Sequence, residues 1–261
     1  MNEPIPKKSL GQHWLEDVNA LEAMCEAAVV NADDTIVEIG PGLGTLTKLL
    51  VERAEQVIAV EFDPGLASNL GKLVNNQNLT VIHEDILRFD FGTVSHPYKV
   101  VANIPYYLTS NLIRTLSESS NPPTDAVILI QKEVAERVCA KPGQMSILSV
   151  TAQYYWEVSL GRLVEAELFT PPPKVDSQIL IMKYRQQPLF ENADAKQFFQ
   201  LVKAGFSQKR KTLQNSLSGG LAIDKDEAKK LLDTADVPTS ARAQTLSLED
   251  WYAVYEVFTQ A

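Results

Sequence analysis

The sequence predicts an α/β fold: a mostly parallel sheet covered by helices on both faces, followed by a small all-helical C-terminal domain. Three observations carry this expectation. Short β-rich runs alternate with helix-period runs from about residue 35 to residue 139, the pattern of a parallel sheet with crossover helices. The β-rich runs are apolar almost throughout rather than at every second position, as strands buried on both faces require. Beyond about residue 187 the strand-like runs stop and only helical periodicity remains.

The elements follow in order. "DVNALEAMCEAAVV" has apolar residues at 18, 21, 24, 25, 28 and 29, a helical period. "TIVEI" then pairs with "LGTLTKLLVERA", and "QVIAVE" with "PGLASNLGKLV". "LTVIH" comes next, followed by "YKVVA" with "TSNLIRTLSES" and by "DAVILIQ" with "KEVAERVCA". "ILSVTAQYYWEV" and "SQILIMKY" lack a helix between them and read as an antiparallel pair closing the sheet edge. "QQPLFEN" reads as a linker. "AKQFFQLVKAGFSQKRKTLQNSL", "KDEAKKLLDTA" and "SLEDWYAVYEVFTQ" read as helices. The expected domains are therefore 1–186 and 187–261.

Composition bounds the function. The chain has 261 residues, 45% of them hydrophobic and 22% charged, enough for a large domain and a small one. No apolar run approaches the roughly 20 residues of a membrane span, and the N-terminus lacks the apolar core of a signal peptide. Cys25 and Cys139 sit in helical apolar patterns and read as free buried thiols in a reducing cytoplasm. The three histidines are well separated, so no metal cluster is expected. A net charge of −9 disfavours phosphate contacts in general. Yet Ala195 to Ile223 contains no acid while holding Lys196, Lys203, Lys209, Arg210 and Lys211, and Lys7 and Lys8 precede "SLGQHWL". A local basic surface for a nucleic acid is therefore expected there.

"VEIGPGLGTLT" places Gly40, Gly42 and Gly44 between a strand and a helix, where backbone can approach a ligand closely. Glu61 ends the next strand, 21 residues after Gly40, where a carboxylate can take both hydroxyls of a ribose. Asp85, in "VIHEDIL", follows the third strand at the place for an adenine edge. An NAD site is one reading of these residues. The G-x-G-x-G spacing, with Pro41 in its second position, lacks the third glycine that a dinucleotide pyrophosphate turn needs. S-adenosylmethionine has no phosphate and is the cofactor expected.

"VVANIPYYLTSNL" ends the fourth strand at Asn103. The exocyclic amine of a base has its lone pair delocalised into the ring. An amide oxygen and a backbone carbonyl, here Asn103 and Ile104, can accept its two N–H bonds and favour a pyramidal, nucleophilic nitrogen. Pro105 fixes the turn that aims the Ile104 carbonyl. Tyr106 offers a flat face to a base taken out of its stack.

Together these stretches resemble the small-subunit ribosomal RNA adenine dimethyltransferase family. "KKSLGQHWLED", "VEIGPGLGTLT", "VIAVEFD", "HEDIL", "VVANIPYYLTSNLI", "LIQKEVAERV", "FTPPPKVDS" and "FSQKRKTLQNSL" occur in that family's order over nearly the whole chain. The resemblance implies a Rossmann-like S-adenosylmethionine-dependent methyltransferase sheet with a helical RNA-recognition domain. It implies a monomeric enzyme that dimethylates N6 of two adjacent adenosines near the 3′ end of small-subunit (16S) RNA, within an immature subunit. Carried over by motif, the cofactor positions are His13, Leu15, Gly40, Gly42, Glu61, Asp85 and Asn103. The catalytic positions are Asn103, Ile104, Pro105 and Tyr106, with Phe169 as a second stacking aromatic beside Pro171-Pro172-Pro173. The family usually reads G-Q-N-F-L where this chain has "GQHWL", and "KPGQMSILSV" lacks the family's Y-G pair. Two rivals remain: a large-subunit (23S) adenine methyltransferase of the macrolide-resistance type, and a non-catalytic RNA-binding assembly factor with the same fold.

Overall fold

A computed structural model describes residues 6–7, 10–187 and 189–260. Its elements are β1 (Trp14–Leu15), α1 (Val18–Ala27), β2 (Thr35–Ile39), α2 (Thr45–Val51), β3 (Gln56–Glu61), α3 (Pro64–Val74), β4 (Leu79–His83) and β5 (Lys99–Asn103). They continue with α4 (Thr109–Glu118), β6 (Asp125–Gln131), α5 (Lys132–Val138), α6 (Ile147–Tyr155), β7 (Trp156–Val164), β8 (Phe169–Thr170) and β9 (Ser177–Tyr184). Four helices complete the chain: α7 (Ala195–Phe206), α8 (Leu213–Leu221), α9 (Lys225–Thr234) and α10 (Leu248–Gln260).

Two compact units emerge. The first comprises residues up to Glu136 together with Trp156–Tyr184. Its sheet runs β4-β3-β2-β5-β6-β9-β7. The five strands from β4 to β6 are parallel, and β9 runs against both its neighbours, β6 and β7. Strand interiors are buried as double coverage demands: Val100 to Ala102 and Ala126 to Ile130 have no exposed surface. Local chemistry sets the helix starts. Asp17 caps α1 by accepting from Ala20 N at 2.8 Å, and Asp63 caps α3 by accepting from Gly65 N at 2.8 Å, just ahead of Pro64. The strand order reverses between β2 and β5, the place where open α/β sheets leave a crevice at the carboxyl ends of their strands.

The second unit, Arg137–Tyr155 with Arg185 onward, is helical. Its core gathers Met145, Val150 and Tyr154 with Phe198, Leu201, Leu217, Leu232 and Trp251. The expected boundary at 186/187 therefore differs from the course of the chain, because residues 137–155 pack into the helical core. Tyr154 and Phe198 have ring centroids 5.0 Å apart.

Three sequence expectations are corrected. "ILSVTAQYY" is helix α6, not strand; Ser146 and Ser149 exchange hydrogen bonds across its start (Ser146 N to Ser149 Oγ, 2.7 Å; Ser149 N to Ser146 Oγ, 3.2 Å). Strand β7 therefore begins only at Trp156; β7 and β9 form the expected antiparallel pair at the sheet edge, with β9 lying between β6 and β7. Finally, the long helix expected from Ala195 breaks at Ser207. Helices α7 and α8 pack so closely that a Cβ on Gly220 would lie 2.6 Å from Ala204 Cα, so the chain must reverse between them. The "linker" is also not free, since Phe190 stacks on Tyr252 at 4.2 Å. No helix among the described residues is long and apolar enough to cross a membrane.

Candidate active site

The crevice between β2 and β5 collects residues from several strand ends. After β2, Gly40, Gly42 and Gly44 take φ of +67°, +57° and +76°, left-handed values that glycine adopts without a Cβ clash. A Cβ on Gly40 would lie 3.7 Å from the Asn103 carbonyl, so the loop passes directly over the end of β5. Glu61, at the end of β3, is 6% exposed. Its Oε2 accepts from Gly42 N at 3.1 Å and its Oε1 from Asp63 N at 2.8 Å. Burial raises its pKa, these backbone N–H groups oppose the rise, and the Asp63 charge adds to it. The carboxylate thus ties the glycine loop to the start of α3.

Two cavities adjoin, sharing Gly40, Glu61, Ile104 and Pro105 in their walls. The smaller, about 80 Å³, is also lined by His13, Leu15, Gly42, Asn103, Tyr106 and Phe169. The larger, about 210 Å³, is mostly apolar and is lined by Val60, Phe62, Asp85, Ile86 and Tyr107. Asp85 holds the turn after β4 by accepting from Leu87 N at 3.0 Å. His83 Nε2 lies 3.2 Å from the Phe62 carbonyl, steadying the apolar wall. A flat heterocycle suits this larger cavity, and a ribose suits the Glu61 divide.

Asn103 makes no side-chain hydrogen bond among the described residues, so its amide oxygen and N–H groups remain for a ligand. No described donor reaches the Ile104 carbonyl outside regular secondary structure either. Pro105, at φ −56° and ψ 134°, leads into a 3-10 turn over Tyr106–Leu108. The Tyr106 hydroxyl and Ser177 Oγ share a hydrogen bond of 2.8 Å. The His13 and Tyr106 rings are near-parallel, with centroids 6.1 Å apart and planes at 19°.

The segment 13–15 is joined to 169–171. Strands β1 and β8 pair Trp14 with Thr170 and Leu15 with Phe169. His13 Nδ1 lies 2.6 Å from the Pro171 carbonyl. A carbonyl only accepts, so Nδ1 carries the hydrogen and a neutral His13 keeps its lone pair on Nε2. Phe169, 4% exposed, packs in the core with Leu15 while one face lines the smaller cavity.

The structure therefore gathers around one cavity every cofactor and catalytic residue expected from the sequence except Asp85, which lines the adjoining one. The basic residues fare differently. Lys7 Nζ pairs with the buried Asp63 Oδ2 at 2.6 Å, which holds the Asp63 carboxyl below its ordinary pKa. Its charge is spent beside the glycine loop rather than free for phosphate. Lys8 lies outside the described residues. Lys203 is exposed on α7, and Lys209, Arg210 and Lys211 are exposed on the turn after it.

Three further residues escape sequence reasoning. Trp14 lays its indole edge on the glycine loop, 3.7 Å from where a Gly42 Cβ would be, with Nε1 buried and unpartnered among the described residues. Glu38, in the middle of "TIVEI", is 1% exposed with Oε2 unpartnered among the described residues. Burial, with the Glu61 charge adding to it, pushes its pKa up to about 8. The acid in an apolar strand is the signal that could have found it. Ser177 is the third, and only its contact across the fold reveals it.

A family model described as ribosomal RNA adenine dimethylase matches residues 6–260. The chain belongs to this family. Its relatives include the ribosomal RNA small subunit methyltransferase A of Dehalococcoides mccartyi, 40% identical over 258 residues, covering 97% of this chain and 89% of that one. The protein of the same name from Enterococcus faecalis is 39% identical over 261 residues, covering 94% and 88%. Among solved structures, a dimethyladenosine transferase from Plasmodium falciparum superposes with a TM-score of 0.81 at 26% identity, covering 95% and 98%. The 23S rRNA methyltransferase ErmE superposes with a TM-score of 0.75 at 30% identity, covering 95% and 100%. Membership in the dimethylase family thus extends across both compact units.

Proposed function

We propose that this chain uses S-adenosylmethionine to dimethylate N6 of two adjacent adenosines near the 3′ end of small-subunit ribosomal RNA. Its partner is an immature small subunit in the cytoplasm, which it meets as a monomer. The observation that carries the reading is the Asn103 amide, unpartnered beside Gly40 at the strand-order reversal with the Tyr106 face next to it. The small-subunit methyltransferases about 40% identical over nearly the full length favour the small-subunit substrate.

The residues fit such a cofactor. Glu61 offers its remaining lone pairs to a ribose diol, and Asp85 faces an apolar slot of nucleobase size. The glycine loop leaves room for an amino-acid chain under His13 and Trp14. When bound, S-adenosylmethionine supplies a methyl group activated by a positively charged sulfur, which makes a strong base unnecessary. The chain's work is then placement. In the first transfer Asn103 Oδ1 and the Ile104 carbonyl would accept the two N6 hydrogens and hold the nitrogen for attack; in the second a single N6 hydrogen is left to accept, and each transfer releases one N6 proton to solvent. Tyr106 and Phe169 hold the base plane. Lys209, Arg210 and Lys211 supply phosphate contacts from the exposed turn.

The likeness to ErmE gives the large-subunit alternative a specific footing, and one assay separates the readings. Tritiated-methyl transfer is measured on immature small subunits and on naked 23S RNA. Label on adenines of the small-subunit RNA is expected; label on 23S RNA alone would move the substrate, and no label on either would leave an assembly factor. Asn103→Ala is expected to lower transfer by about two orders of magnitude or more with RNA affinity nearly unchanged.

A further inference from the structure

We infer that Ser177 is a positioning residue for methyl transfer: its hydroxyl anchors the far end of the Tyr106 ring on which the target base is held. The inference rests on the reading of Tyr106 as the base platform. Tyr106 itself sits on a short 3-10 turn, Tyr106–Leu108. Among the described residues, a hydrogen bond and a ring contact restrain that ring. One is the hydrogen bond to Ser177 at 2.8 Å, which spans 71 residues of sequence. The other is the His13 ring, and His13 is itself held by the Pro171 carbonyl. Both restraints thus return to the same stretch, 171–177.

That stretch is rigid for identifiable reasons. Ser177 opens β9 with no exposed surface, its Cα opposite Gln131 of β6 and Val164 of β7. Beside it, the Asp176 carbonyl accepts from Lys132 N at 3.0 Å and Asp176 Oδ1 from Ala166 N at 3.1 Å. A hydroxyl buried in the sheet interior is unfavourable unless it is bonded, and among the described residues Tyr106 is the partner of its side chain. Burial raises the Tyr106 pKa, so the phenol stays neutral with a hydrogen for this bond. The phenol oxygen lies on the axis about which the ring turns, so the Ser177 bond fixes the position of the ring's far end, while the near-parallel His13 ring restrains its plane. Stacking and in-line attack both depend on where the ring is held as well as on its plane.

The test measures kcat and KM for methyl transfer to immature small subunits with Ser177→Ala, Tyr106→Phe, their double variant and Tyr106→Ala. Cofactor affinity by calorimetry and Tm are followed alongside. Ser177→Ala and Tyr106→Phe are each expected to lower kcat about fivefold, the effect of losing one hydrogen bond, without changing cofactor affinity. The double variant is expected to lose no more than either single one, because both remove the same bond. Additive losses, or a lowered Tm with parental kcat in Ser177→Ala, would overturn the assignment. If Tyr106→Ala is impaired while Ser177→Ala and Tyr106→Phe transfer at the parental rate, the Ser177 role alone fails. If Tyr106→Ala transfers at the parental rate, the platform reading fails and takes the Ser177 role with it.

Discussion

At the scale of single residues, two buried carboxyls a strand apart have opposite uses. Glu61 is bonded by two backbone N–H groups and can still accept from two ribose hydroxyls. Each charge-assisted bond contributes about 1.5–3 kcal/mol, so Glu61→Ala is expected to weaken S-adenosylmethionine binding at least tens-fold by calorimetry. Unchanged affinity would remove the ribose assignment; because the variant also frees Gly42 N and Asp63 N, its Tm is measured in parallel. Glu38 has no backbone N–H bond among the described residues; burial outweighs the opposing Thr47 hydroxyl, and its folded pKa of about 8 stands above the ordinary 4.5. Between those values the folded chain keeps a proton that the unfolded chain has released. Its contribution to stability is therefore complete below about pH 4.5 and declines until about pH 8, with a slope near 1.4 kcal/mol per pH unit. Urea unfolding from pH 5 to 8 is expected to show that decline in the parent and a flatter profile in Glu38→Gln; parallel profiles would refute it. Glu61 could be read from the sequence because it ends its strand at a set distance from Gly40. The partnership of Tyr106 with Ser177 could not, since nothing local links residues 71 apart.

At the scale of elements, the parallel strands were legible because each is a short apolar run and all but β4 are followed by a helix of their own. Legibility failed where two structures share one composition. "ILSVTAQYY" is β-branched and aromatic, as strands are, yet Val150 and Tyr154 fall one helical turn apart and both enter the helical core. The basic run failed for a different reason. Its residues suit a helix, but the Gly220–Ala204 approach forces a reversal, and Lys209, Arg210 and Lys211 end on an exposed turn. A turn displays three adjacent cations on a short arc, whereas a helix would have spread them round its axis. Replacing all three with Gln is expected to weaken RNA binding and to reduce the log–log salt slope by about one unit per lost phosphate contact. Cofactor affinity should be unaffected. A parental slope in the triple variant would send the RNA elsewhere.

At the scale of the whole molecule, the order of segments along the chain matters as much as their packing. Residues 137–155 belong to the helical unit although both flanking strands belong to the sheet unit. A chain ending at residue 186 would leave Met145, Val150 and Tyr154 without the partners that bury them. Such a fragment is expected to bind a hydrophobic dye and to aggregate; a soluble, monomeric fragment 1–186 would place 137–155 with the sheet unit after all. The inserted strand β9 has a consequence of its own during synthesis. It is the last strand of the sheet to leave the ribosome, yet it is the neighbour that both β6 and β7 require. While the 53 residues from Lys132 to Tyr184 are being added, the edge of β6 that β9 will cover has no partner. At about 5–20 residues per second this lasts roughly 3–10 s. Over that interval a nascent chain presents an open strand edge to any neighbour on the polysome, and lengthening the 132–176 stretch would prolong the exposure.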